Sequence, residues 1–255
     1  MKLLASDFDR TLCFNQTVME EDLQAIKEWR EQGNLFVLVT GRSRQAIEEQ
    51  MKIHGIEADY VVCGCGSIVF NSKGELMQAV HLDSITGMDI VYIAKETEGV
   101  ASVLVNEETG SHRLVISPDL RDSVFAGMEP NMKEEEVLDL PHYTQVVVSL
   151  ATQDEALAFA DEMNNYFSST VKAYPNGYAV DIVAKDVSKA TGVEFIKEYE
   201  NVDIDDVYTI GDSYNDLPLI RYGSNGGVMF NAPSDMANAF EKTYFSVKQY
   251  IEDCE

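Results

Sequence analysis

The chain has 255 residues, 45% of them hydrophobic, and a formal net charge of -25. That length holds one large domain or two modest ones around a sizeable core. So acidic a chain argues against nucleic acid or an anionic membrane surface as a partner, because both need a basic face, and no apolar run approaches the roughly 18 residues of a membrane span.

Asp7 and Asp9 interrupt the apolar start, so the N-terminus does not read as a signal peptide and a cytoplasmic location is expected. Cys13, Cys63, Cys65 and Cys254 are too few and too scattered for a disulfide framework, and free thiols are expected. His54, His81, His112 and His142 show no zinc-ligand spacing around Cys63-Gly64-Cys65, which therefore reads as structural.

In chain order, Leu3 to Phe8 reads as a buried strand that ends in carboxylates. Thr17 and Glu20 form a capping-box pattern before Met19, Leu23 and Ile26, which predicts a helix terminated by Gly33. Leu35 to Thr40 is a second strand, Ser43 to Gly55 a second helix with Ile47 and Met51 on its apolar face, and Tyr60 to Cys63 a third strand. Nearly continuous apolar strands alternating with helices predict a doubly wound, Rossmann-like α/β core with a parallel sheet.

The pattern changes at about Asp83. A helix is expected over Ile85 to Lys95, strands over Val100 to Val105 and Leu114 to Ser117, and an acidic loop over Lys133 to Asp139, whose run Glu134 to Glu136 is solvated. Tyr143 to Leu150 follows as a strand. Next comes a helix capped by Asp154 with an apolar stripe of Leu157, Ala160, Met163 and Phe167. Val171 to Tyr174 and Tyr178 to Val183 read as a hairpin about Pro175-Asn176-Gly177. The core pattern resumes with a helix opened by Lys189 and a strand at Val207 to Ile210. The expected organisation is a discontinuous core, 1–82 and 185–255, with an α+β domain inserted at 83–184.

The chemistry gathers at the strand ends. Asp7 and Asp9 point the same way in an extended chain, and like charges held so close call for a cation. Thr40 ends a strand with a hydroxyl, and Gly41-Arg42 brings backbone N–H groups and a cation toward an oxyanion. Asp212, Asn215 and Asp216 sit at another strand end and the helix start after it. Asp7, Asp9 and Asp212 would make an oxygen-rich site suited to Mg²⁺, and Lys189 could neutralise phosphate charge. A carboxylate nucleophile divides phosphate-ester hydrolysis into two displacements, and a second carboxyl group protonates the leaving alcohol. Asp7 and Asp9 fit these roles, with their proximity helping Asp9 to keep the proton it must donate. A receiver-type switch that accepts phosphate without turnover, a phosphomutase and a noncatalytic sugar-phosphate binder use overlapping residues; release of inorganic phosphate separates the hydrolase from the switch and the binder.

Asp7-Phe8-Asp9-Arg10-Thr11, Thr40, Lys189 and Gly211-Asp212-Ser213-Tyr214-Asn215-Asp216 resemble, in order, the four motifs of the haloacid dehalogenase (HAD) superfamily. With Thr40-Gly41-Arg42 and Asn231-Ala232, the chain resembles the Cof-type sugar-phosphate phosphatases, whose α+β cap lies between the second and third motifs. The resemblance implies that Asp7 becomes an aspartyl phosphate and that Asp9 is the acid and then the base. It assigns Mg²⁺ to Asp7, the backbone carbonyl of Asp9 and Asp212, with Asp216 in support. Thr40 and Lys189 would hold the phosphoryl group, with Asn215 and Asn231 nearby, and the cap would select a small phosphorylated metabolite such as a sugar phosphate. Three positions depart from the family pattern. Arg10 stands where glycine is usual and either touches substrate or points to solvent, Cys65-Gly66 replaces an Asn-Gly pair, and the stretch from Tyr244 to Glu255 is short.

Overall fold

Among the described residues, eight strands share one sheet in the order Thr243–Tyr244, Asn225–Met229, Val207–Gly211, Leu3–Asp7, Leu35–Val39, Tyr60–Cys63, Ile68–Asn71 and Leu76–Ala79. The first six run parallel, and Ile68–Asn71 turns back antiparallel on Tyr60–Cys63. This computed structural model describes residues 1–125 and 128–254, without the side chains of Glu134 and Leu138. Glu255, the expected end of the core, and the Glu134 side chain of the acidic run lie outside the described residues.

Strand side chains alternate between the two faces of a sheet. Leu4, Phe36 and Leu38 pack on one face with Ile26, Trp29, Ile47, Tyr250 and Ile251. Leu3, Ala5, Val37 and Val39 pack on the other with Val193, Ile196 and Leu219. Helices Glu20–Glu31, Arg44–His54 and Val247–Cys254 thus cover the first face, and Lys189–Tyr199 covers the second. This two-sided burial is why these strands read as unbroken apolar runs. Because the neighbours are parallel, their carboxyl ends share one edge, where Asp7, Thr40, Asp212, Phe230 and Phe245 end or immediately follow successive strands.

The chain divides into two compact units, one of Met1–Arg42, Ala46–Gln78 and Ser188–Glu255, the other of Ser43–Gln45 and Ala79–Val187. The second unit holds a five-stranded antiparallel sheet in the order Val171–Asn176, Ala179–Ala184, Gln145–Leu150, Val100–Asn106, Ser111–Val115. Helices Ser84–Glu96 and Gln153–Tyr166 cover one face over Val103, Val105, Val146, Val148, Val180 and Ile182. On the other, Asp122 accepts hydrogen bonds from Ser102, from Ser149 (2.9 Å), from Arg113 (2.8 Å) and from the Phe125 amide (3.0 Å). Burial pushes this carboxyl up, but the donors outweigh it and hold Asp122 below the ordinary carboxylate value.

Several local expectations change. Thr17 caps no helix: it pairs with Phe14 in a small hairpin, and Glu20–Glu31 starts after Met19 with no side-chain cap, its acidic first turn facing the positive end of the helix dipole. Gly33, at φ +84, follows that helix as expected. In the second unit the cap of Gln153–Tyr166 is Thr152, whose hydroxyl accepts from the Glu155 amide at 3.2 Å, and not Asp154. Leu157 is 49% exposed, and the stripe is Ala156, Phe159, Ala160 and Met163. The acidic segment includes a short helix, Glu134–Leu138, where Glu136 accepts from the Lys133 amide at 2.8 Å. Pairing of Asn176 with Ala179 carries the hairpin ladder past Pro175, so its turn is Gly177-Tyr178, with Gly177 at φ +61. The strand expected at Leu114 to Ser117 lies at Ser111–Val115. None of the four cysteines is in a disulfide. Among the described residues no helix is long and apolar enough to cross a membrane.

Candidate active site

Lys189 is the first residue of helix Lys189–Tyr199, whose start Ser188 fixes by accepting from the Thr191 amide at 3.3 Å. A cation at a helix N-terminus is disfavoured by the dipole, and Lys189 is 2% exposed, so it needs anionic partners. It has them. Its ammonium donates to Asp7 Oδ1 at 2.7 Å, Asp216 Oδ1 at 2.6 Å and Asn215 Oδ1 at 3.3 Å. Burial pulls the ammonium's pKa down, but Asp216 and Asp7 outweigh burial and raise it well above the ordinary lysine value.

The loop after Val207–Gly211 arranges the opposite wall. Asp216 Oδ2 accepts from the amides of Asp212 (3.1 Å) and Ser213 (3.0 Å) and from the Ser213 hydroxyl (2.9 Å). Both Asp216 oxygens are thereby engaged, and the residue braces the loop. Asp212 Oδ2 accepts from Asn231 Nδ2 at 3.0 Å and lies 3.3 Å from Arg10 Nε. Arg10 and Asn231 also clasp each other through the backbone: Arg10 Nη2 donates to the Asn231 carbonyl at 3.2 Å, and Asn231 Nδ2 donates to the Arg10 carbonyl at 3.1 Å. Arg10 sits at φ +66, in the left-handed region where glycine is at ease, so the backbone of the glycine pattern is kept although the side chain is not.

Asp9 lies apart from this cluster in its contacts. Arg42 grips it with both prongs, Nη2 to Oδ1 and Nε to Oδ2, each at 2.8 Å, and the guanidinium lies 5.3 Å over the Phe8 ring. The crowding that raises Asp7 therefore comes from elsewhere: burial first, then Asp216 and Asp212, against the pull of Lys189. The sequence pointed to Asp9 as the neighbour that matters. Thr40 is fully buried, and its hydroxyl oxygen accepts from the Arg42 amide at 3.1 Å, with Gly41 between them.

Two contributors escaped the sequence reading of roles. Ser213 donates to Asn215 Oδ1 at 2.8 Å as well as to Asp216, and its spacing three residues before an acid is a capping-box signal that could have marked it. Gly66, at φ +110, packs so closely on the start of the Lys189 helix that a Cβ there would lie 1.9 Å from the Ser188 carbonyl oxygen. With Gly64 at φ +56 and Cys65 at φ +55, this turn sets the helix against the end of strand Leu35–Val39, since the Cys65 amide donates to the carbonyl of the next residue, Thr40, at 3.1 Å.

The arrangement fits a hard divalent cation. One oxygen from each of Asp7, Asp212 and Asp216 lies within 4.8 Å of the others, and Asp7 Oδ2 is buried without a hydrogen-bond partner. Burial, then Asp216, push Asp212 up to about 7 despite Arg10 and Lys189, so this carboxyl is both desolvated and crowded by like charge. Oxygen donors with uncompensated charge are what Mg²⁺ takes.

The sequence model of the haloacid dehalogenase-like hydrolases matches residues 4–249. An HMP-PP phosphatase of Serratia proteamaculans is 22% identical over 260 residues, covering 100% of this chain and 91% of its own. A solved phosphatase of the HAD superfamily from Bacteroides thetaiotaomicron superposes with a TM-score of 0.80 at 20% identity, covering 98% of this chain and 91% of its own. A solved HAD subclass IIB sugar phosphatase gives a TM-score of 0.77 at 18% identity, covering 98% and 95%.

Proposed function

Because the chain belongs to the haloacid dehalogenase-like hydrolases of the Cof type and is a phosphatase of that family, we propose that it is a Mg²⁺-dependent phosphomonoesterase of a small phosphorylated metabolite, a sugar phosphate in class, working through an aspartyl phosphate on Asp7. The observation that carries this reading is the state of Asp7: Oδ1 is held by Lys189 at 2.7 Å, and Oδ2 is buried and unpartnered at the end of its strand.

Asp7 and Asp212, with the Asp9 carbonyl that the family resemblance adds, would hold the metal, and Asp216 would brace them. When bound, the metal offsets charge on the phosphoryl oxygens. Lys189 and the Thr40 hydroxyl bind and orient the phosphoryl group. Asp7 Oδ2 attacks phosphorus, the bond from phosphorus to the ester oxygen breaks, and the departing alcohol takes its proton from Asp9. Asp9 then removes a proton from water, which attacks the aspartyl phosphate and releases inorganic phosphate with Asp7 restored. For this Arg42 must let go of Asp9, and an incoming phosphate dianion is the natural exchange partner for its two-pronged guanidinium. The core of 1–82 and 185–255 carries the chemistry, substrate selection falls to the inserted segment as a cap, and the enzyme works in the cytoplasm.

The test is phosphate release from a generic aryl phosphate with Mg²⁺, with EDTA, and with Asp7→Asn, each on protein checked for folding. Metal-dependent release lost in Asp7→Asn is the expected result. Folded wild-type protein that releases no phosphate yet is labelled stably by acetyl phosphate would overturn hydrolysis in favour of a switch or mutase.

A further inference from the structure

Phe14, Phe230 and Phe245 form an exposed aromatic row within the core unit. The Phe230 and Phe245 rings stack at 4.8 Å with 28° between their planes, and Phe14 lies 6.1 Å from Phe230 at 31°. The three are 38%, 45% and 69% exposed. A contiguous exposed apolar patch of this kind is often functional.

Position in the fold says where that occupant comes from. Phe230 and Phe245 directly follow two parallel strands, and with Asp212 and Asp7 they run along the same sheet edge. At the roughly 4.8 Å spacing of neighbouring strands, Phe230 stands about 10 Å and Phe245 about 14 Å from Asp7 along that edge. The connection is also covalent. Phe230 precedes Asn231, which donates to Asp212, while Phe14 belongs to the hairpin that follows Arg10, the residue bound to both Asn231 and Asp212. The row therefore continues the phosphate site outward.

Size selects the class of occupant. At about 200 Å² per phenylalanine side chain, the exposed ring surface comes to roughly 300 Å². A standard protein interface takes roughly 800 Å² from each partner, whereas one planar ring system offers about 150–250 Å². Offset stacking adds to simple burial only for a flat π-system.

We propose that Phe14, Phe230 and Phe245 are a stacking platform for a planar aromatic or heteroaromatic ring carried by the substrate within about 10 Å of its phosphorus. The sugar-phosphate class of the preceding reading, on which this rests, is thereby narrowed to phosphorylated sugars that bear such a ring. The platform supplies affinity and orientation. It takes no part in bond making.

A matched pair tests it: adenosine 5′-monophosphate against ribose 5-phosphate, with Mg²⁺, in wild type and in the surface substitutions Phe245→Ser and Phe230→Leu. The expected result is a wild-type kcat/KM ratio of at least about tenfold in favour of the ring, residing mainly in KM, that collapses toward unity in both variants. Hydrolysis of both esters with a ratio near one, or a ratio untouched by the substitutions, would overturn the platform and leave the phosphatase reading standing. Hydrolysis of neither ester, together with no metal-dependent release from an aryl phosphate, would sink the phosphatase reading and the platform with it. A dimer in sedimentation that Phe245→Ser dissociates, without any preference for the ring, would assign the row to a second copy of the chain and overturn the proposal.

Discussion

Lys189 Nζ bridges Asp7 Oδ1 at 2.7 Å and Asp216 Oδ1 at 2.6 Å, so one buried ammonium ties the strand that bears the proposed nucleophile to the loop that shapes the opposite wall. Removing it leaves two buried carboxylates facing each other. Lys189→Met is expected to lower stability by about 3–5 kcal/mol and to abolish phosphate release. Adding Asp216→Asn should restore much of the stability and none of the activity. Urea unfolding of the double-mutant cycle measures this; equal, additive losses would show that the bridge is not one network.

Asp7→Asn retains the shape and removes the proposed nucleophile. Turnover should fall by at least about 10³-fold. In metal-free buffer its melting temperature should equal or exceed that of the wild type, because a buried carboxylate among like charges is gone. Calorimetry beside a phosphate-release assay reads both.

Gly66→Ala tests the turn beneath the Lys189 helix. A Cβ at 1.9 Å from the Ser188 oxygen, on a residue at φ +110, must push the helix start away. A stability loss of about 2–4 kcal/mol is expected, with kcat reduced about tenfold or more as Lys189 shifts. Gly33→Ala is the control: φ is +84 with nothing within 4 Å, so only the left-handed penalty of about 1–2 kcal/mol applies and kcat should hold.

Arg42→Ala separates binding from support. If Arg42 trades Asp9 for the substrate's phosphoryl group, KM should rise about tenfold or more, and Arg42→Lys should recover only part of that, since a point charge lacks the fork. A variant with unchanged KM would leave Arg42 as a half-buried ion-pair partner only.

Asp122 carries the pH prediction. Its folded pKa is depressed by donors from Phe125, Ser102, Ser149 and Arg113 against the effect of burial, so it binds fewer protons folded than unfolded near the ordinary value of about 3.9. Its stabilisation is thus present above that value and disappears as pH falls through the lower folded pKa. Asp122→Asn should be less stable than wild type at pH 7 by about 2 kcal/mol or more, and the gap should narrow steadily below about pH 4. Parallel denaturation series at several pH values would show it; a gap independent of pH would remove the charge from the explanation.

How much of this could be read from the sequence depends on burial. Leu35–Val39 and Tyr60–Cys63 were legible because both faces are covered and every residue can be apolar. Asn225–Met229 was not. Gly226 approaches the Ile220 carbonyl and Gly227 the Tyr250 ring so closely that any Cβ would collide, which strips the strand of the side chains that announce one. In the site, Asp7, Asp212 and Lys189 were legible as a set because each stands at a strand end or helix start. The grip of Arg42 on Asp9 and the clasp of Arg10 with Asn231, 221 residues apart, are tertiary facts that no local spacing encodes. The Phe230 and Phe245 stack likewise joins separate strand ends.

The strand that ends in Asp7 is synthesised long before one of its two neighbours, Val207–Gly211, whose Val207 lies opposite Leu3. At about 5–20 residues per second, synthesis keeps that edge waiting roughly 10–40 s. The five strands of the inserted sheet are contiguous in the chain and can pair in the meantime. An emerging chain thus carries Asp7 well before it has Lys189 and Asp212 to set it against, and the candidate site can assemble only after the inserted sheet has had time to form.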